Sequence, residues 1–247
     1  MSLAARLLNV FAIPGEVFEV VRASRVSVAN WLVPALLSAA VGVLSVLVVV
    51  SQPALQEKLR EQLDQQAKVM QQQVKDGKLK KTEADRAMAL GRALTQPATL
   101  RALGGTAAAV FGFGRVFWWA LVLWVLARAF LKAHVDYLKA LEVAGLGLMI
   151  SVLGSVVTLL LMLNLPKLFA TTDLTLAVSG FDPSRKSYLL LGAANLFSLW
   201  LVGVLAVGLA RLARVPFMRA AWLVFAAWLV QESFLVLVGG LLGQFAL

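Results

Sequence analysis

The sequence predicts an all-α polytopic integral membrane protein: five transmembrane helices, with a helical extracytoplasmic hairpin after the first span. Three observations carry this. Of 247 residues, 60% are hydrophobic and only 15% are charged, against about 25% charged in an ordinary soluble domain. The apolar residues fall into blocks of about 20, the length that crosses a hydrocarbon core. Between the first two blocks lies a polar stretch, 51–104, with helical periodicity.

Residues 1–29 read as a cytoplasmic interfacial amphipathic segment. Leu7, Leu8, Phe11, Phe18 and Val21 are placed on one face, with Arg22 and Arg25 near its far end. Pro14 breaks a helix passing through it and lets one begin at Gly15 or Glu16. A disordered tail is the alternative. The short apolar core and small-residue cleavage site of a signal peptide are not expected here. The first span is 30–50, uncharged from Trp31 to Val50.

In the stretch 51–104, Leu55, Leu59, Leu63, Ala67, Met70 and Val74 recur at intervals of four and three, one helical face. Pro53 suits a helix start, and Asp76-Gly77 an end. Thr82 with Asp85 resembles a capping box, and Ala87, Leu90 and Leu94 form a second apolar face. Two antiparallel helices joined at about 76–81 bury both faces. Leu55, Leu59, Leu63, Met70 and Val74 are the candidate partner interface, because a connection between spans needs far fewer residues. A self-packed spacer is the competing reading.

Residues 105–247 form a four-span bundle, at about 106–131, 143–163, 188–210 and 220–242. The last three contain one charge, Glu232, and the first of the four holds Arg115 and Arg128. The loop 164–187 turns at Phe181-Asp182-Pro183-Ser184 and admits a brief strand or a partly inserted segment. Lys and Arg set orientation. One side carries Arg6, Arg22, Arg25, Arg128, Lys132, Lys139, Arg211, Arg214 and Arg219. The other carries Lys167, Arg185 and Lys186, plus ten basic residues within 51–101. A long folded loop crosses largely regardless of charge, so the N-terminus is expected in the cytoplasm and the C-terminus outside.

Charges inside a bilayer are rare and mark function or a structural pair. Arg115 is roughly 13 Å and Glu232 roughly 16 Å below the outer face at 1.5 Å per residue. They are candidates for an intramembrane ion pair. The alternative has Arg115 snorkelling beside an aromatic belt of Phe111, Phe113, Phe117, Trp118 and Trp119. Ser38 and Gly42, then Gly147, Ser151 and Ser155, then Gly239 and Gly243, are spaced by four and suit close helix packing, within the bundle or between copies. Asn195 and Gln231 are read as helix cross-links at depth. His134, Asp136 and Glu142 are read as solvated loop residues.

Cysteine is absent and histidine occurs once. That excludes thiolate chemistry and two-histidine metal sites. No phosphate-binding GxxxxGK[ST] occurs. No catalytic residue, metal or cofactor is expected. The net charge of +10 is assigned to loops beside anionic lipid headgroups rather than to nucleic acid.

Phe11-x-x-Pro14-x-x-x-Phe18 followed by Asn30-Trp31-x-x-Pro34 resembles the opening of bacterial Yip-domain proteins. Trp124 to Arg128 and Lys139 to Gly145 resemble that family's second and third spans. Ala194-Asn195-Leu196-Phe197-Ser198-Leu199-Trp200, with Ala206 to Ala210 after it, is the closest match. The resemblance spans most of the chain except an enlarged first loop. It implies five spans, a cytoplasmic N-terminus and no catalytic activity. Eukaryotic members of that family act in vesicle traffic and membrane shaping, a role that does not carry over simply to a bacterial protein, and some bacterial relatives are associated with ABC-type exporters. The expected function is therefore a non-enzymatic accessory protein of a bacterial inner membrane, docked on a partner such as an ABC-type exporter and its adaptor. A lipid-handling homo-oligomer and a small-solute transporter are the alternatives.

Overall fold

The computed structural model describes residues 1–164 and 195–245, with side chains through Leu235 and at Leu237. The described residues form helices and no strand. They are α1 (Leu3–Asn9), α2 (Pro14–Ala23), α3 (Ala29–Ser51), α4 (Pro53–Lys75), α5 (Lys81–Thr95), α6 (Pro97–Val125), α7 (Tyr137–Gly147), α8 (Met149–Asn164), α9 (Leu196–Ala213) and α10 (Phe217–Phe245). A π-helical turn, Leu126–Phe130, continues α6. Four stretches are long and apolar enough to cross a membrane: Ala29–Ser51, Pro97–Phe130, Tyr137–Asn164 and Leu196–Ala213. The protein is thus a multi-pass helical membrane protein. The fifth expected span, 220–242, falls within α10. The loop expected at 164–187 lies outside the described residues from 165 onward.

The bundle is held by close backbone approaches. Along the seam of α3 and α6, a methyl group on Gly42 would lie 3.2 Å from Ala108 Cβ. One on Gly112 would lie 3.0 Å from the Ala39 nitrogen. Ser38 adjoins the same crossing. Gly147 on α7 meets Leu205 of α9, where an added methyl would stand 2.8 Å from Cδ2. Ser38, Gly42 and Gly147 are therefore used inside the bundle, where small side chains let helix backbones approach. Gly239 and Gly243 lie within α10.

The N-terminal segment departs from expectation. Pro14 does separate two helices, and it occupies the first position of α2 itself, where its missing N–H costs nothing. The apolar face of α2 does not lie on a membrane surface. Val17, Phe18 and Val21 are fully buried against α9 and α7. Phe18 packs beside Gly208 of α9, and Phe11 meets Trp200 edge-on at 6.0 Å. Leu8, assigned to the same face, is 70% exposed, because the break at residues 10–13 changes the helical phase. A glycine facing Phe18 gives the ring a protein socket, which is why this face is buried by protein. Phe18→Ala is expected to lower stability by about 3–5 kcal/mol, the cost of emptying an aromatic site. Thermal unfolding in detergent measures it; a change below 1 kcal/mol would contradict the packing.

The expected third span also differs at its start. Its helix begins at Tyr137, capped by the Asp136 carboxylate, which accepts from Leu138 N at 3.2 Å. It is interrupted at Leu148. Of α7, every residue from Ala140 to Gly147 is buried. A helix buried on all sides is a core element, and α3, α6 and α9 surround this one.

Candidate functional site

Three polar features stand out from the apolar bundle, and the sequence anticipated only part of them. The first centres on Glu142, read from sequence as a solvated loop residue but fully buried on α7. Its Oε1 accepts from Asn30 Nδ2 at 2.6 Å and from the Ser27 backbone N–H at 2.9 Å. Its Oε2 pairs with Lys139 Nζ at 2.7 Å. Lys139 also donates to the carbonyls of Val21 and Ser24, at 2.7 and 2.8 Å. Arg6 donates to Asn30 Oδ1 at 3.2 Å. The network ties α1, the end of α2, the start of α3 and α7 together. Its chemistry is that of a clamp, because the Glu142 charge is paired with Lys139 and both are further hydrogen-bonded to neighbouring helices, although Arg6 Nε is buried without a hydrogen-bond partner. The signal was present in sequence: a Lys and a Glu spaced by three, inside an apolar run, need each other once that run is buried.

The second feature is a cavity of about 230 Å³ at the end of the bundle nearest α4 and α5. Ser45 and Val49 of α3 line it, with Arg115 of α6. So do Ser151, Gly154, Ser155, Thr158 and Met162 of α8, and Asn195, Phe197 and Ser198 at the start of α9. Arg115 donates to Ser151 Oγ at 3.2 Å. The expected Arg115–Glu232 ion pair is not among the ion pairs of the described residues, which are Arg22–Glu19 and Lys139–Glu142. Glu232 acts on Arg115 only at longer range. On the residue before it, Gln231 Oε1 accepts from Trp118 Nε1 at 2.5 Å, joining α10 to α6 as a polar cross-link. Asn195 sits at the start of a helix rather than at mid-span. It caps α9, its Oδ1 accepting from Phe197 N at 2.8 Å. The proposed aromatic belt is not one surface: Trp119 is buried in the core, while Phe111 is exposed.

The third feature lies at the opposite end of the bundle. Glu19, Arg22, Arg211, Arg214 and Pro216 line a groove of about 600 Å³. Arg22 donates to Glu19 Oε1. That bond holds the Glu19 carboxyl below its ordinary range, helped by the charges of Arg211 and Arg214, and raises the Arg22 guanidinium further.

Beyond the spans, α4 and α5 pack side by side. Leu55, Leu59, Leu63, Met70 and Val74 are half-buried on the side turned to α5 and the start of α6. The seam on α5 is Ala84, Met88, Gly91 and Thr95. It is not Ala87, Leu90 and Leu94, which face outward, Leu90 being 61% exposed. The helix starts at Lys81 with no side-chain cap, so Thr82 sits inside the first turn and the expected capping box does not form. Gly77, at φ +70°, makes the turn between the two helices. Its left-handed backbone is the reason for glycine there.

The Yip1 domain family model matches residues 8–239. No curated protein and no solved structure matches the chain.

Proposed function

The chain belongs to the Yip1-domain family, and from that premise we propose that it is a non-enzymatic membrane scaffold. Its partner is another membrane complex, with an ABC-type efflux transporter and its adaptor as the class the family resemblance suggests. In this reading it spans the inner membrane of a bacterium, with α10 as the fifth span. The N-terminus is cytoplasmic, and α4–α5 and the C-terminus are extracytoplasmic. One observation carries the docking reading. The seam between α4 and α5 is lined by the hairpin's own residues, and Ala87, Leu90 and Leu94 form a second apolar stripe facing away from it. The stripe covers about two turns of α5, a helix of 15 residues and about 22 Å. The stripe therefore suits a helix of a partner's extramembrane adaptor, laid along it at i, i+3 and i+7 spacing.

This moves the expected contact from the Leu55–Val74 face of α4 to the outer face of α5. Tagged protein extracted in mild detergent is expected to recover its partner in stoichiometric yield. Deleting 54–96 should abolish recovery, and Leu90→Asp with Leu94→Asp should cut it at least tenfold without unfolding the protein, since both leucines are solvent-facing. Full recovery by the double variant would overturn the docking reading. A second reading, a lipid-handling protein, draws on the groove of Arg22, Arg211 and Arg214, whose charge suits anionic headgroups. It is supported if the protein purifies alone and remodels anionic liposomes.

A further inference from the structure

We propose that the cavity around Arg115 is a binding site for an anionic oxygen group, a phosphate or phosphodiester, held at membrane depth. The argument starts from the guanidinium. It is permanently charged and carries five N–H donors. An arginine within a span costs up to about 3 kcal/mol on insertion scales, so such residues pair with an anion or a polar group. Ser151 is the partner that Arg115 contacts, and a neutral hydroxyl supplies no counter-charge. Among the described residues Glu232 makes no ion pair with it, attracting it only at longer range, and does not line the cavity.

The surroundings select for an anion. No carboxylate lines the cavity among the described residues. Ser45 gives its proton to the Val41 carbonyl at 2.8 Å, while Ser155, Thr158 and Ser198 bring further hydroxyls to the wall. The first turn of α9, an 18-residue helix, opens onto the same space. Its N-terminus carries roughly half a positive charge, favouring an anion beside it. Guanidinium, hydroxyls and helix terminus come from three different helices, α6, α8 and α9, so the positive site exists only in the folded bundle. A volume of about 230 Å³ holds an oxyanion with several waters.

Two sources supply this chemistry: the phosphodiester of an anionic phospholipid entering from the bilayer, or a dissolved phosphate entering from the aqueous side. They separate in one experiment. Full-length protein is purified in mild detergent, and its bound lipid is read by native mass spectrometry. Delipidated protein is then titrated with inorganic phosphate and followed by thermal shift. The variants are Arg115→Gln, Ser155→Leu, which fills the cavity while leaving the arginine, and Arg128→Gln as a control. Arg128 stacks on Trp124 at 5.0 Å, away from the cavity.

A lipid source predicts copurifying anionic phospholipid that falls at least tenfold in Arg115→Gln and Ser155→Leu and is unchanged in Arg128→Gln. A dissolved source predicts no bound lipid, but a phosphate-dependent stabilisation lost in the same two variants. Equal lipid in all four proteins with no phosphate response would overturn the site. Ser155→Leu keeps the test open if Arg115→Gln fails to fold. The hairpin deletion affects neither arm, so this site and partner docking fail separately.

Discussion

Glu142→Ala is expected to destabilise the protein by about 3–5 kcal/mol, the cost of breaking a buried charge pair from one side. The loss exceeds that of a hydrogen bond because several groups are stranded together. Lys139 keeps its charge and its two carbonyl acceptors but loses its anion. Asn30 Nδ2 and the Ser27 N–H lose a shared acceptor. Glu142→Gln retains shape and one acceptor oxygen, so it should cost less. The combination Glu142→Leu with Lys139→Met should recover part of the loss, since it removes both charges and not one. Denaturant or thermal unfolding in detergent measures all three. An unchanged midpoint for Glu142→Ala would show that the network contributes nothing. Proteolysis adds a spatial readout: α1 and α2 are fixed by this clamp, so cleavage near residues 24–28 should rise in the variant.

Gly145→Ala is expected to cost about 3 kcal/mol, at the upper end of ordinary overpacking. An added methyl would fall on Trp31 Cα and within 2.8 Å of the Asn30 carbonyl oxygen. Both are backbone atoms of α3, so no side-chain rotation relieves the clash and the two helices must separate. Separation would also stretch the Asn30–Glu142 bond one turn away, so the effects of Gly145→Ala and Glu142→Ala should be non-additive. Gly208→Ala should be comparable, because its methyl would run into Val143 and lie 3.3 Å from the Phe18 ring. The contrast is Gly203 on the same helix, with nothing within 4 Å of an added methyl. There alanine should stabilise by about 0.5–1 kcal/mol through helix propensity. Equal behaviour of Gly203 and Gly145 would show that the helices do not approach as described.

The helical, multi-pass character was legible because it depends on runs of one residue class. Trp31–Val50 is uncharged for long enough to cross a bilayer, whatever packs on it. The helix break at Pro14 and the helix start at Pro53 were marked by local chemistry as well, whereas the start at Pro97 was not anticipated. Facial assignments fared differently. On α5, two interleaved sets of residues, Ala84–Met88–Gly91–Thr95 and Ala87–Leu90–Leu94, both have helical spacing. Hydropathy favours the second, but the structure buries the first, because small residues let α5 approach Leu63 of α4 closely. Arg115 was legible as a group of interest from its charge, and Ser151 and Ser155 from their spacing. That these residues line one cavity with the start of α9 was not, because the sequence separates them by up to about 80 positions.

The sequence by itself therefore determined the membrane class, the principal apolar segments and the lack of thiolate or two-histidine chemistry, since each follows from composition and run length. Only the tertiary structure decided which polar groups meet. It placed Glu142 under Asn30 and Lys139, brought Arg115 onto the Ser151 hydroxyl, and turned the apolar face of α2 toward α7 and α9 of the same chain. The physical reason is that hydropathy is a property of each residue along the chain. A buried charge is satisfied by whichever groups the helix crossings bring within about 3 Å.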